Sequence, residues 1–447
     1  MARIDTLSNF LTDVADSIRE KTGNTEPISC EDFDTEIESI SGGGVEIDNC
    51  SSFFESGIRT EQFSDIFPLV KKPKLAQKMF KAIQLTNSTN VNLPSDFDNY
   101  LKSMDTSQTT DMSEMFANIG GTTELMLDLS NFDTHSVTTM SKMFSQLGRK
   151  NNYEYWSMSS LDISNFNTSN VTNMSEMFSY LWLYGNGILD LSHFSTANDK
   201  TVDMSQMFYN LYFINTIKLG ALRPNTLSGT FSAVGTMNAV TEVKLDISHL
   251  DTSQCTSLYQ TFHSPKIKTL DISNFNTVNV TNMQGTFDGM NNVTTITIST
   301  NFVTNKVTTM QLMFRECYKL ETFGFSSFDT SSVTSMNQMF SNCRVITKLD
   351  LSSFTSEKVT AIGSMFQNCY KLEEIDLSNF DFTTKITSFG NMFTNCGTQT
   401  SDGLTKVYVK DTDAQNWILT KSNGKPSTWS TTNVIIAGSS DDLRGSE

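Results

Sequence analysis

Along most of this chain the apolar residues recur in two alternating rhythms. In Leu349-Asp350-Leu351-Ser352 they fall at every second position, the pattern of a strand with one buried face. In Val307, Met310, Met313, Phe314 and Cys317 they fall at i, i+3, i+6, i+7 and i+10, which reads as one stripe of a short helix with Thr308 or Thr309 as its N-cap. A strand and helix of this size cannot bury their faces alone. The pattern therefore predicts coils that stack on their neighbours, one parallel strand and one short helix to each.

The repeat is visible in Leu161-Asp162-Ile163-Ser164-Asn165-Phe166 and the following Val171, Met174, Met177 and Phe178. Its closing phenylalanine marks each copy: Phe116, Phe144, Phe178, Phe208, Phe231, Phe262, Phe287, Phe314, Phe340, Phe366 and Phe393. The last steps are 27, 26, 26 and 27 residues, and the longer ones lie in the first half. Such a period identifies a solenoid before any local reading of structure. Its expected extent is 45–400, with degenerate copies at 45–100 around Phe54 and Phe80. Residues 401–438, with Val407, Val409, Trp417, Trp429 and Val434-Ile435-Ile436, read as a C-terminal cap, and 439–447 as a disordered tail.

Residues 1–44 follow a different rule. Leu7, Phe10, Leu11, Val14 and Ile18 lie on one helical stripe that Gly23 stops. A second short helix would place Phe33 and Ile37 together before the hinge Ser41-Gly42-Gly43-Gly44. A helical pair this small holds no core of its own, so it should attach the chain to something, make an oligomer, or cap the first coil.

Composition narrows the function classes. Only 18% of residues are charged, and Asp and Glu outnumber Lys and Arg by 49 to 32 for a net charge of −17. With no basic stripe to offset that excess, nucleic acid and anionic membranes are unfavourable partners. The opening Met1-Ala2-Arg3-Ile4-Asp5 leads into no signal-peptide core, and no window reaches about 18 apolar residues, so membrane insertion is not expected. The 7 Cys include no zinc spacing, and no metal or cofactor is expected.

The strings 161–178 and Phe328 to Cys343 resemble the 26-residue, BspA-like leucine-rich-repeat surface proteins of bacteria. That resemblance implies an α/β leucine-rich-repeat solenoid and a non-enzymatic adhesin or interaction surface. The segment Leu7 to Gly23 with Ile28 to Phe33 resembles the leader of phage virion structural proteins, often tail or fibre proteins. It implies that the N-terminal helices dock onto other virion proteins.

Three columns are candidate chemistry. Cys317, Cys343, Cys369 and Cys396 each follow a marker Phe by three residues and continue the apolar stripe, so they read as core thiols. Asp128, Asp162, Asp190, Asp246, Asp271, Asp350 and Asp376 occupy the outward strand position. Stacked carboxylates repel, and hydrogen bonds from Ser130, Ser164 and Ser273 offset this more simply than an ion ladder interrupted at Thr297 and Gly324. The third column is aromatic. Gly148 to Trp156 is expected to protrude as a loop carrying Tyr153, Tyr155 and Trp156; equivalent stretches carry Tyr180, Trp182 and Tyr184, then Tyr209, Tyr212 and Phe213. Rings with polar tips on a rigid scaffold make a ligand-binding edge, whereas rings folded back would only cover the longer segments.

His135, His193, His249 and His263 are scattered, and His193 and His249 stand where Asn165 and Asn274 stand in other copies, so they read as surface substitutions. No nucleophile elbow or phosphate loop rises above the repeat, and no enzyme is expected. The reading is a non-enzymatic binding protein of a phage virion that meets a host-surface protein or glycan. A bacterial surface or secreted adhesin and a purely structural virion protein are the alternatives.

Overall fold

The computed structural model describes Met79 and residues 97–119, 127–148, 158, 160–236, 242–382, 385–400, 405–422, 424–442 and 444. The N-terminal residues Leu7, Phe10, Leu11, Val14 and Ile18, the first repeats at Phe54 and Phe80, and Tyr153, Tyr155 and Trp156 lie outside them. The described residues fall into two compact units, one running to Val202 and taking in Leu211–Ile214, the other comprising Asp203–Asn210 and the chain from Asn215.

Each unit is a parallel solenoid of short coils. All eleven marker phenylalanines are at most 1% exposed. In the first unit Phe116 stacks on Phe144 at 5.6 Å and Phe144 on Phe178 at 5.7 Å. In the second an unbroken file runs from Phe208 to Phe393 with centroids 5.2–6.0 Å apart. Each buried ring contributes about 1.5–3 kcal/mol through apolar area removed from water, and only a stack of coils removes it.

The helical stripe folds differently from its expectation. Residues Val307, Met310, Met313, Phe314 and Cys317 are fully buried, yet the segment is a run of overlapping β-turns. The N–H groups of Met313, Arg315 and Cys317 donate three residues back, to Met310, Leu312 and Phe314. Those of Met310, Leu312, Phe314 and Glu316 instead donate to Ser335, Asn337, Met339 and Ser341 of the next coil, at 2.8–3.0 Å. A helix would keep every N–H for itself. The turns release every second one to the neighbour and so convert an intra-coil ladder into an inter-coil one. Their geometry needs a left-handed residue two before and two after each marker Phe, and all eleven copies supply both, from Glu114 (φ 56°) and Asn118 (φ 60°) to Asn391 (φ 60°) and Asn395 (φ 59°).

Strands are short and the sheet is not continuous. In the first unit β1 (Trp182–Leu191) runs beside the start of β3 (Tyr212–Leu219), with β2 (Val202–Asp203) between them in sequence. In the second, β4 (Pro224–Thr226) pairs with β2, β5 (Lys244–Asp246) is parallel to β3, and β6 (Thr269–Asp271) is parallel to β7 (Thr295–Thr297). The coil at Glu321–Phe325 has no strand; there the Phe325 ring sits edge-on to Phe328, Phe340 and Phe354. A second sheet then begins. It orders β8 (Lys348–Asp350), β9 (Glu374–Leu377), β10 (Lys406–Val409) and β11 (Val434–Ile436), all parallel. Where that sheet is broken, a file of single bridges through Ser257, Asn282, Thr309, Ser335, Ala361 and Ser388 continues without a gap.

True helices flank the coils: α1 (Phe97–Ser103) before the first described one and α2 (Thr412–Lys421) between β10 and β11. Asp411 caps α2 by accepting the Ala414 N–H at 2.9 Å, and Ala414, Trp417 and Ile418 form its buried face. Trp417 packs against Phe382 and Phe389, and Trp429 against the last marker, Phe393. Residues 439–442 and 444 do not trail into solvent as the sequence suggests. Asp442 accepts from the Gly438 N–H at 2.8 Å, and Arg444 lies 3.8 Å over the Tyr408 ring and bonds Asp442 and Asp376.

Candidate functional site

The Asp column is held in place by the residue two positions on. Asp162 accepts the Ser164 N–H at 3.0 Å, Asp271 that of Ser273 at 2.9 Å, and Asp350 both the N–H and hydroxyl of Ser352, the latter at 2.6 Å. These bonds favour the ionised form. The Ser130 hydroxyl, with Lys102 and the Ser130 N–H, holds the Asp128 carboxyl at about 2, and Asp162, Asp246, Asp271 and Asp350 are lowered by the same Ser contacts. Among the described residues no group of three or more His, Cys, Asp or Glu is arranged to hold a metal ion.

The Asn column beside it has a role between coils. Asn165 Nδ2 donates to the Leu129 and Phe132 carbonyls at 3.0 and 2.9 Å, and Asn274 Nδ2 to Ile247 and Leu250. His193 is exposed, and its Nε2 reaches the Ile163 carbonyl at 2.9 Å, so this substitution at the Asn position keeps the bond between coils. His249 is exposed.

A third column escaped the sequence reading. Thr106, Thr134, Thr168, Thr252, Thr277, Thr304, Thr330 and Ser356 are at most 2% exposed, and each donates its hydroxyl to a carbonyl of the next coil at 2.6–3.0 Å. The signal for it in the sequence was that six of the eight stand two residues after the Phe of a Ser/Asn-Phe pair, indistinguishable from the Thr-rich background. The thiols are equally internal. Cys317, Cys343 and Cys369 are fully buried and donate to the Phe287, Phe314 and Phe340 carbonyls at 3.1–3.2 Å. Burial pushes Cys343 and Cys396 up to about 12, which leaves neutral thiols without nucleophilic character.

The aromatic edge is partly assembled. Trp182 and Tyr212 begin β1 and β3, their rings 4.5 Å apart and inclined at 40°. Tyr180 lies 6.3 Å from Tyr212, and Phe213 5.8 Å from Trp182. These stretches are strands, not the protruding loops expected of them: the Tyr212 N–H donates to the Leu181 carbonyl, and Gly187 lies so close that a Cβ there would fall 2.5 Å from the Phe213 carbonyl oxygen. Tyr180, Trp182 and Tyr212 are half-buried, so one side of the cluster packs and the other faces solvent. Tyr209 is half-buried in its turn; Tyr184 lies within β1, its side chain outside the described residues.

A repeat whose polar columns bond the next coil or fix their own turn is the common element of these observations, and it corresponds to a known sequence family. The family model described as "Mycoplasma protein of unknown function, DUF285" matches residues 81–161, 156–218, 226–322 and 286–407. The chain belongs to this family. No curated protein and no solved structure matches it.

The DUF285 matches cover the coils that carry the Asp, Asn, Thr and Cys columns and the pair Trp182 and Tyr212. Residues 1–80 and the α2 to β11 segment lie outside them. Among the described residues no helix is long and apolar enough to cross a membrane.

Proposed function

We propose that this member of the DUF285 family is a non-enzymatic binding protein, carried on a phage virion, that presents its solenoid to a host-surface protein or glycan. The observation that carries the binding half is the cluster of Tyr180, Trp182 and Tyr212. Elsewhere the repeated polar side chains are spent on neighbouring coils or on their own turns, whereas here three large rings share a half-open position. Such rings offer contact area at small entropic cost. The resemblance of residues 7–33 to virion leaders supports the phage setting, with Leu7, Phe10, Leu11, Val14 and Ile18 as the face that docks on other virion proteins or on a second copy. The BspA-like repeat supports a bacterial surface adhesin as the second reading.

The test uses the tagged full chain on arrays of bacterial surface glycans and envelope proteins. Binding that falls at least about tenfold in W182A/Y212A, with circular dichroism unchanged, supports the site, since a hot-spot ring contributes about 1–3 kcal/mol. Binding that survives the double substitution overturns it. Mass spectrometry of purified particles separates the two settings: peptides of this chain at a fixed ratio to the tail proteins support the virion, and their absence favours the adhesin.

A further inference from the structure

We infer that Arg344, between Tyr318 and Tyr370, forms a second binding site that takes a carboxylated sugar. Four arginines are described, and three are held by carboxylates. Arg223 bonds Asp251 at 3.0 Å, Arg315 grips Asp288 with two bonds of 2.8 Å, and Arg444 bonds Asp442 at 2.8 and 2.7 Å. Arg344 differs: its guanidinium carbon lies 4.1 Å over the centre of the Tyr318 ring, and among the described residues no carboxylate meets it. Among the described arginines it is therefore the one whose fork is not already taken by an acid.

The repeat explains why the three residues share one column. Tyr318, Arg344 and Tyr370 each follow a marker Phe by four residues, and those markers stack at 5.6 and 5.8 Å. The Glu316 N–H on the Ser341 carbonyl and the Asn342 N–H on the Gln367 carbonyl, both 2.8 Å, keep the coils in register up to that column. Both tyrosines are half-buried and Arg344 is exposed, as is Lys371 beside Tyr370. Lys319, next to Tyr318, is occupied by the Asn292 side chain at 3.0 Å.

This arrangement selects a ligand chemistry. Stacking on Tyr318 holds the guanidinium flat while leaving its N–H fork open, the geometry that receives a carboxylate through two parallel bonds. The Tyr370 ring, one coil further on and half-buried, suits the apolar face of a sugar. Glu316 beside Tyr318, together with the acidic balance of the chain, disfavours densely charged phosphate or sulfate polymers. The site shares no residue with the Trp182 cluster, so either can fail without the other.

The probe is polygalacturonate, tested against its methyl-esterified form and dextran sulfate by biolayer interferometry on the full chain at 150 mM salt. Expected are binding to the free acid, at least about tenfold weaker binding to the ester, a comparable loss in R344Q, and a smaller loss in R344K, whose point charge cannot pair bidentately. Y370A should weaken binding several-fold, while W182A leaves it unchanged. Four results overturn the proposal: no binding to the acid form, equal binding to the ester, full binding by R344Q with circular dichroism intact, or tighter binding to dextran sulfate than to polygalacturonate.

Discussion

The Thr304 hydroxyl holds Asp329 by both of its backbone groups, donating to the Asp329 carbonyl and accepting the Asp329 N–H, each at 2.8 Å. The same clasp joins Thr106 to Asp133, Thr134 to Asn167, Thr168 to Ser195, Thr252 to Asn276, Thr330 to Thr355 and Ser356 to Asp381. One buried oxygen per coil thus fixes the register where the chain turns between its two ladders.

Thr304→Val keeps the shape and removes the clasp. Leaving a donor and an acceptor without their partner should cost about 1–2 kcal/mol, read as a lower urea midpoint, while Thr304→Ser should retain most of the stability. Equal stability of the valine variant would show that water replaces the hydroxyl.

The left-handed positions separate turns from helix by the sign of a single substitution. Gln338 has a φ of 56°. Gln338→Gly relieves a left-handed cost of about 1–2 kcal/mol and adds unfolded-state entropy of about 0.4–1 kcal/mol, so stability should hold or rise by up to about 1.5 kcal/mol. In a helix the same change would cost about 1 kcal/mol. Conversely, Gly285→Ala, at φ 61° with its new Cβ 3.2 Å from Gln260 Cγ, should destabilise. Thermal melts of the two variants read the difference.

Acid should loosen the coils over a defined window. Asp128, Asp162, Asp246, Asp271 and Asp350 are lowered by their Ser hydrogen bonds, and at Asp288 the His263 ring 3.2 Å away and the two bonds from Arg315 outweigh the burial that pushes the other way. A carboxyl lowered in the fold contributes stability that is present above its unfolded value, near 4, and is lost as pH falls through the folded one. The melting temperature should therefore be insensitive to this column between pH 5 and 8 and fall from about pH 4 toward pH 2. Asp288→Asn should flatten part of that slope and lower stability at neutral pH, since Arg315 loses its charged partner.

Cys317, Cys343, Cys369 and Cys396 should resist iodoacetamide at pH 8 in the folded chain and all be alkylated in denaturant, as read by peptide mass spectrometry. Burial raises all four well above the ordinary thiol range, so the reactive thiolate is absent. Rapid labelling of Cys343 under native conditions would mean that the coil opens locally.

The resemblance at 161–178 and the spacing of the marker phenylalanines contained the solenoid, its inward positions and the core role of the Cys column, because burial every third residue and a 26-residue period are properties of the chain itself. The same period could not tell a helix from successive turns. Val307, Met310 and Met313 point inward in either, and the choice lies with N–H groups that look identical in sequence and go to the next coil only once a next coil is in place. Likewise Tyr180, Trp182 and Tyr212 were legible as departures from the repeat, whereas the strands that begin at Trp182 and Tyr212 depended on Gly187 admitting the Phe213 carbonyl. Sequence by itself determined which residues are buried and how often the chain turns. Tertiary structure alone decided which polar groups face one another, Thr304 with Asp329 and Arg344 with Tyr318, because those partners lie about 25 positions apart and meet only through the stacking of one coil on another.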